Sequence, residues 1–150
     1  MTTVDTVETA PRPLAVELVD GEEDANVLAT LLRNHIHDIV AADPSKVQAA
    51  RRLEGRLGVR STEPQVSVTL VFGRAGLRIK NGLEPALDGT ITGPLKLQTE
   101  TLAGLANPYW AMLQRKLKVS LRWSRPLFTM QTYSFLKAPP SMRPPREGAP

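Results

Sequence analysis

The sequence predicts an α+β domain, one sheet with helices packed on one of its faces. Three observations predict it. Apolar residues recur at helical spacing early in the chain, at Val27, Leu28, Leu31, Leu32, Ile36, Ile39 and Val40. The period then changes to two in QVSVTLVF, where Val66, Val68, Leu70 and Phe72 alternate with Ser67, Thr69 and Val71. A second alternation, QRKLKVSLRW, sets Leu117, Val119, Leu121 and Trp123 on one side and Lys116, Lys118, Ser120 and Arg122 on the other.

Residues 1–19 have neither a basic start nor a long apolar run, so they read as a flexible lead and not as a signal peptide. Asp20-Gly21-Glu22-Glu23 reads as a capping box, with Asp20 as N-cap, opening a helix over 22–41. Glu22, Glu23 and Asp24 then sit where the helix dipole favours negative charge. Asp43 caps a second helix with Pro44 at its first position. Its apolar stripe is Val47, Ala50, Leu53 and Leu57, Gly58 ends it, and Arg51, Arg52 and Arg56 lie on its other face.

Gly73-Arg74-Ala75-Gly76 reads as the turn of a hairpin. The returning strand points Leu77 and Ile79 inward, Arg78 and Lys80 outward. After the loop GLEPALDG comes the short strand TIT. Gly93-Pro94 starts a helix with Leu95, Leu102, Leu105 and Ala106 along one side, and Asn107-Pro108 breaks it. Tyr109 to Leu113 form a further helical turn or two. QRKLKVSLRW is the last strand, and Ser124 and Pro126 begin a closing helix to about Leu136. The expected organisation is one domain over 20–137, helical in 20–60 and sheet-bearing in 65–137, with a disordered Pro-rich tail over 138–150.

A chain of 150 residues can bury roughly 70% of its unfolded surface. It has no cysteine, which excludes disulfides and thiolate metal sites and fits a reducing cytoplasm. No stretch approaches the roughly 18 apolar residues that span a bilayer. The net charge of +4 permits attraction to phosphates or anionic lipid without requiring it.

Little in the sequence points to catalysis. His35 and His37 are the two histidines, and on a helix their side chains point about 200° apart, so they cannot share a metal. His35, beside Leu31 and Ile39, is expected to be partly buried, and His37 exposed. No nucleophile elbow, phosphate-cradling loop or zincin motif is present in the sequence. Asp88, in a loop before a strand, is expected to act in a turn or cap. Two basic runs stand out, Arg51, Arg52, Arg56 and Arg60, and Lys116, Lys118, Arg122 and Arg125 beside Trp110 and Trp123. Trp123 shares parity with inward residues, so the cations read as a solvated face and nucleic acid is not expected. No catalytic set, metal or cofactor is expected.

From DGTITGP through LQTETLAGLANPYWAMLQRKLKVSLRW the chain resembles the sterol carrier protein type 2 family, the sterol-binding domain. The likeness lies in the Asp-led short strand with its small-residue turn, the helix closed by a Gly-containing loop, and the strand Lys116-Leu117-Lys118-Val119. The hairpin VSVTLVFGRAGLRIKNG matches the family's earlier strands in order, so the resemblance covers 65–137. Arg115 departs from the family's usual glycine, and Leu121-Arg122 continue the strand where a glycine often ends it.

The resemblance implies a mixed, mostly antiparallel sheet covered by helices that enclose an apolar cavity, preceded here by a helical pair. It implies non-catalytic binding or carriage of a sterol, fatty acid or fatty acyl-CoA. The implied ligand-binding residues are Leu102, Leu105, Met112, Leu113, Leu117, Val119, Leu121, Leu127, Phe128 and Met130, with Lys116, Lys118 and Arg122 near a mouth. The expected partner is an apolar small molecule or lipid, with transient contact to a membrane surface. Pattern by itself also allows the same side chains to fill a solid core. Two other readings stay open: an interaction or dimerisation module of a larger assembly, and a small biosynthetic enzyme acting on a hydrophobic substrate through His35 or Asp88.

Overall fold

A computed structural model describes residues 14–74, 76–122 and 125–139, with Pro108 and Tyr109 as backbone only. Its strands are β1 (Val16–Leu18), β2 (Gly55–Thr62), β3 (Gln65–Gly73), β4 (Gly76–Asn81), β5 (Gly89–Gly93) and β6 (Lys118–Leu121). They form one sheet in the order β1-β4-β3-β2-β5-β6. The pairs β2–β3, β3–β4 and β5–β6 are antiparallel, and β1–β4 and β2–β5 are parallel. The sheet is therefore mixed and mostly antiparallel, as the resemblance implies.

The helices are α1 (Gly21–Asp24), α2 (Val27–Ala42), α3 (Ser45–Arg52), α4 (Leu95–Leu102), α5 (Pro108–Leu113) and α6 (Phe128–Leu136). Helix α2 lies against β1, β3 and β4, and α6 against β2 and β5. Alternation along the strands sends Leu57, Val68, Leu70, Phe72, Leu77 and Ile79 into the core, where they meet Leu28, Leu32, Ile36 and Ile39 of α2. Phe72 meets the rings of Phe128 and Phe135 edge-on, with centroids 6.2 and 5.9 Å away. Each such pair adds about 0.5–1.5 kcal/mol beyond its buried area.

The structure corrects the expected elements in five places. First, Asn26 and not Asp20 caps the long helix. Its Oδ1 accepts from Ala29 N at 2.8 Å, and its Nδ2 donates to Ser67 O at 2.9 Å. Asp20 instead accepts from Asn81 N at 2.8 Å, and the acidic trio sits on the separate turn α1. Second, the second helix stops at Arg52, and the residues around Leu57 and Gly58 belong to β2. Leu53 and Leu57 are four apart, a spacing that suits a helix, yet Leu57, Val59 and Ser61 also alternate and pair with β3. The span 20–60 is thus not helical throughout.

Third, residues 16–18 form β1 beside β4, although a flexible lead was expected over 1–19. Fourth, α4 ends at Leu102, so Leu105 leaves the helix and is exposed. Fifth, the expected disordered tail begins too early, because Ala138 is buried and its N–H donates to Leu102 O at 2.9 Å. The inward placement of Trp123, the helix start at Ser124, residues 1–13 and the tail from 140 lie outside the described residues.

Candidate functional site: a cavity between the sheet and helices α4 to α6

The far end of the sheet is built from β2, β5 and β6. Register sets Val59 beside Ile91 and Ile91 beside Val119, a row of apolar side chains on the helix-bearing face. Leu117 and Leu121 extend the same side of β6 by alternation. Helices α4, α5 and α6 supply further lining residues, and Leu32 of α2 adds another. Between them lies a cavity of about 460 Å³ with a mostly apolar wall. That volume falls within the roughly 300–1,000 Å³ typical of small-molecule sites.

Helix α6 has two apolar stripes. Phe128, Thr132 and Phe135 turn into the core, while Thr129, Met130 and Tyr133 turn to the cavity. The helix approaches β5 closely because position 89 is glycine, where a Cβ would collide with the Thr129 hydroxyl.

Most polar groups on the wall have protein partners. Gln98 Nε2 donates to Arg60 O and to Gly93 O, both at 2.8 Å, and Thr101 Oγ1 donates to Leu97 O at 2.8 Å. The Thr129 hydroxyl is different: it is buried and has no hydrogen-bond partner among the described residues. Such a group destabilises a fold by about 1–3 kcal/mol unless something satisfies it.

Of the ten residues implied by the resemblance, the structure brings Leu102, Met112, Leu117, Val119, Leu121 and Met130 to the cavity wall. Leu105, Leu113 and Leu127 stand exposed to solvent away from that wall, and Phe128 is buried in the core. Helix phase explains Phe128, two positions from Met130 and thus about 200° around the helix. Sequence reasoning missed Val59, Ile91, Tyr133 and Leu136. Tyr133 was accessible from Met130 by the three-residue step of a helix. Val59 and Ile91 meet through parallel pairing, which leaves no local trace.

The cations expected at the mouth lie elsewhere. Lys116 and Lys118 border a separate groove with Lys96 and Arg115, while Lys137 lies on the cavity wall. Arg122 and Arg125 pair with Asp88 at 3.6 and 3.3 Å. Asp88 Oδ2 also accepts from Arg56 N at 2.9 Å, so this carboxylate ties the start of β2 to the chain after β6. His35 Nε2 donates to the carbonyl of Leu136, and His37 is exposed. Among the described residues no group of three or more His, Asp or Glu is placed to hold a metal ion. Among them, too, no helix is long and apolar enough to cross a membrane.

No family model and no curated protein matches the sequence. Solved structures do match. A protein described as the UbiJ-SCP2 ubiquinone synthesis protein aligns with a TM-score of 0.56 at 12% identity, covering 73% of this chain and 93% of that one. Sterol carrier protein 2 aligns with a TM-score of 0.50 at 18% identity, covering 71% of this chain and 91% of that one. The fold is that of sterol carrier protein 2. The sterol carrier fold also appears within a larger chain, the sec-alkylsulfatase Pisa1 from a Pseudomonas species. There the TM-score is 0.52 at 14% identity, and the match covers 61% of this chain but 14% of the sulfatase.

Proposed function

We propose that this protein binds an apolar, lipid-like molecule in the cavity and does no chemistry on it. The observation that carries the reading is the cavity of about 460 Å³ with its mostly apolar wall, set in a sterol carrier fold. The proposed contacts are Leu102, Met112, Leu117, Val119, Leu121 and Met130, joined by Val59, Ile91 and Tyr133. Burial drives the binding: ten sequestered methylenes supply about 8 kcal/mol, from about 0.8 kcal/mol each, before ordering terms oppose it. The guest class is a sterol, a fatty acid or the acyl part of a larger molecule. His35 and Asp88 support binding over catalysis, since neither lines the cavity and each is engaged, His35 with the Leu136 carbonyl and Asp88 with Arg122 and Arg125. The cysteine-free composition supports a cytoplasmic setting.

Native mass spectrometry of freshly purified protein, with organic extraction, tests the proposal. The expected result is a stoichiometric apolar guest, or uptake of a fluorescent fatty acid by the bare chain. A bare chain that takes up no such probe would overturn it.

A second reading, an accessory module of a larger assembly, is favoured by the sulfatase likeness, where the fold is a small part of a longer chain. Concentration-dependent size in light scattering, without a bound guest, would select it.

A further inference from the structure

We propose that Gln98 selects the guest: its side-chain carbonyl accepts from a neutral hydrogen-bond donor, a hydroxyl or an amide N–H, carried by the apolar molecule in the cavity. The inference rests on the binding reading above and names the chemistry of the guest's polar end.

Gln98 is an amide set in a mostly apolar wall. It lies in the first half of α4, lines the cavity and is 6% exposed. A leucine or methionine would serve packing there, and burying an amide costs free energy unless its polar atoms find partners. Half of that need is met. Nε2 donates to Arg60 O and to Gly93 O, both at 2.8 Å. Two carbonyls are served by the nitrogen and never by the oxygen, so the amide cannot be turned end for end. Parallel pairing of β2 with β5 ends at Ser61 and Gly93. The amide closes that ladder like an extra rung, and two strands hold it in place.

The oxygen is left over. Among the described residues nothing donates to Oε1 of Gln98. The Ser61 hydroxyl, in register with Gly93, makes no hydrogen bond and so does not supply it. The hydroxyls of Ser61 and Thr129 are sealed among protein atoms, whereas Oε1 is not. Since Gln98 lines the cavity, the open side of that oxygen is the cavity. Thr101, about one turn further along α4, repeats the polarity. Its hydroxyl donates to Leu97 O, so what remains to it is to accept.

The polar part of the wall that α4 supplies therefore reads donors. A hydroxyl or amide N–H on the guest completes it. A carboxylate would set oxygen against oxygen, and an ether or ester brings no proton. The cation on the wall stands apart from this point. Ala138 N–H donates to Leu102 O, which sets the chain at Lys137 beside the last turn of α4, about one turn from Gln98. A carboxylate is drawn there by charge, and Gln98 is left for the donor. A site whose buried acceptor is unpaired discriminates against the guest that lacks a proton.

Two isomeric guests test the selection on the full chain: dodecyl alcohol, and undecyl methyl ether, which has the same atoms and no donor. Each is titrated against a bound fluorescent fatty acid. The alcohol is expected to displace it with at least about fivefold higher affinity than the ether. Gln98→Met keeps the length of the side chain and removes the acceptor. In that variant the alcohol is expected to fall to the affinity of the ether, with the ether unchanged. A glutamine that acts on structure alone would weaken both guests together, and that result would overturn the proposal. So would a preference for the alcohol that survives the substitution. Where Gln98→Met does not fold, the unaltered chain decides: equal affinity for alcohol and ether, or displacement by neither, overturns the selection and leaves the cavity standing. A chain that takes up no fluorescent fatty acid overturns the binding reading, and the selection with it.

Discussion

Phe128 and Met130 lie two residues apart on one helix, and the structure gives them opposite work. Phe128 is 2% exposed and packs edge-on against Phe72, with the Arg125 guanidinium 4.8 Å above its ring. Met130 is 54% exposed and lines the cavity. Truncating a buried Phe removes its transfer free energy and leaves a void, about 3–5 kcal/mol in all. A domain of this size is stable by only about 5–15 kcal/mol, so Phe128→Ala is expected to lose about a fifth or more of its stability. Met130→Asp changes a side chain already in contact with water, and its effect on stability is expected to stay within about 0.5 kcal/mol. The same change sets a charge on the wall, and displacement of a fluorescent fatty acid is expected to show affinity falling by at least about tenfold. Urea unfolding followed by circular dichroism supplies the stability axis. An unshifted midpoint in Phe128→Ala, or a Met130→Asp protein as unstable as Phe128→Ala, would refute the assignment of the two stripes. Unchanged probe affinity in Met130→Asp would remove that residue from the site.

Three other substitutions follow from the geometry. Asp88→Ala deprives Arg56 N of a charged acceptor, and the expected loss is about 2 kcal/mol in urea unfolding, the worth of one such hydrogen bond; the half-exposed Arg122 and Arg125 add little. An unshifted midpoint would show that the carboxylate ties nothing together. Asn26→Ala removes the cap of α2, and with it the bond to Ser67 O; it is expected to cost about 1–2 kcal/mol, whereas Asp20→Ala leaves the cap intact. Equal loss of helical signal from both would restore Asp20 as the cap. Thr129→Val replaces an unpartnered hydroxyl with a group of the same shape and is expected to stabilise the bare protein by about 1 kcal/mol. A lower midpoint would mean that the hydroxyl has a partner after all.

The sequence announces the hairpin of β3 and β4 and strand β6, because each alternates with a period of two, and it announces that a helix α6 exists without fixing which side of it faces the core. Strand β2 was hidden. Leu53 and Leu57 satisfy a helical step, Gly58 imitates a helix end, and the alternation of Leu57, Val59 and Ser61 overlaps both. The cap of α2 was hidden for another reason: Asn26 is chosen by its bond to Ser67, a residue of β3, and not by its neighbours in sequence. The cavity was half legible. Residues of β6 and one stripe of α6 could be named from parity, but both stripes of α6 are apolar, so pattern could not tell Phe128 from Met130. The opposite wall arises where β2 and β5 run parallel, with Val59 beside Ile91, a pairing set by the whole topology.

Strand β6 is the outermost strand at its end of the sheet. It is joined to β5 through four register pairs, and no strand among the described residues pairs its other side. Strand β3, by contrast, is clasped between β2 and β4. The chamber thus has one stiff wall and one yielding wall. Opening a short edge strand takes far less free energy than opening the centre of a sheet, so amide protons of β6 should exchange with deuterium well before those of β3. A bulky guest would be admitted by bowing β6 outward, with the core behind Leu57 and Leu70 left undisturbed. The side of such a chamber formed by β6 is then the lenient one, and the side lined by the buried Leu32 of α2 the strict one.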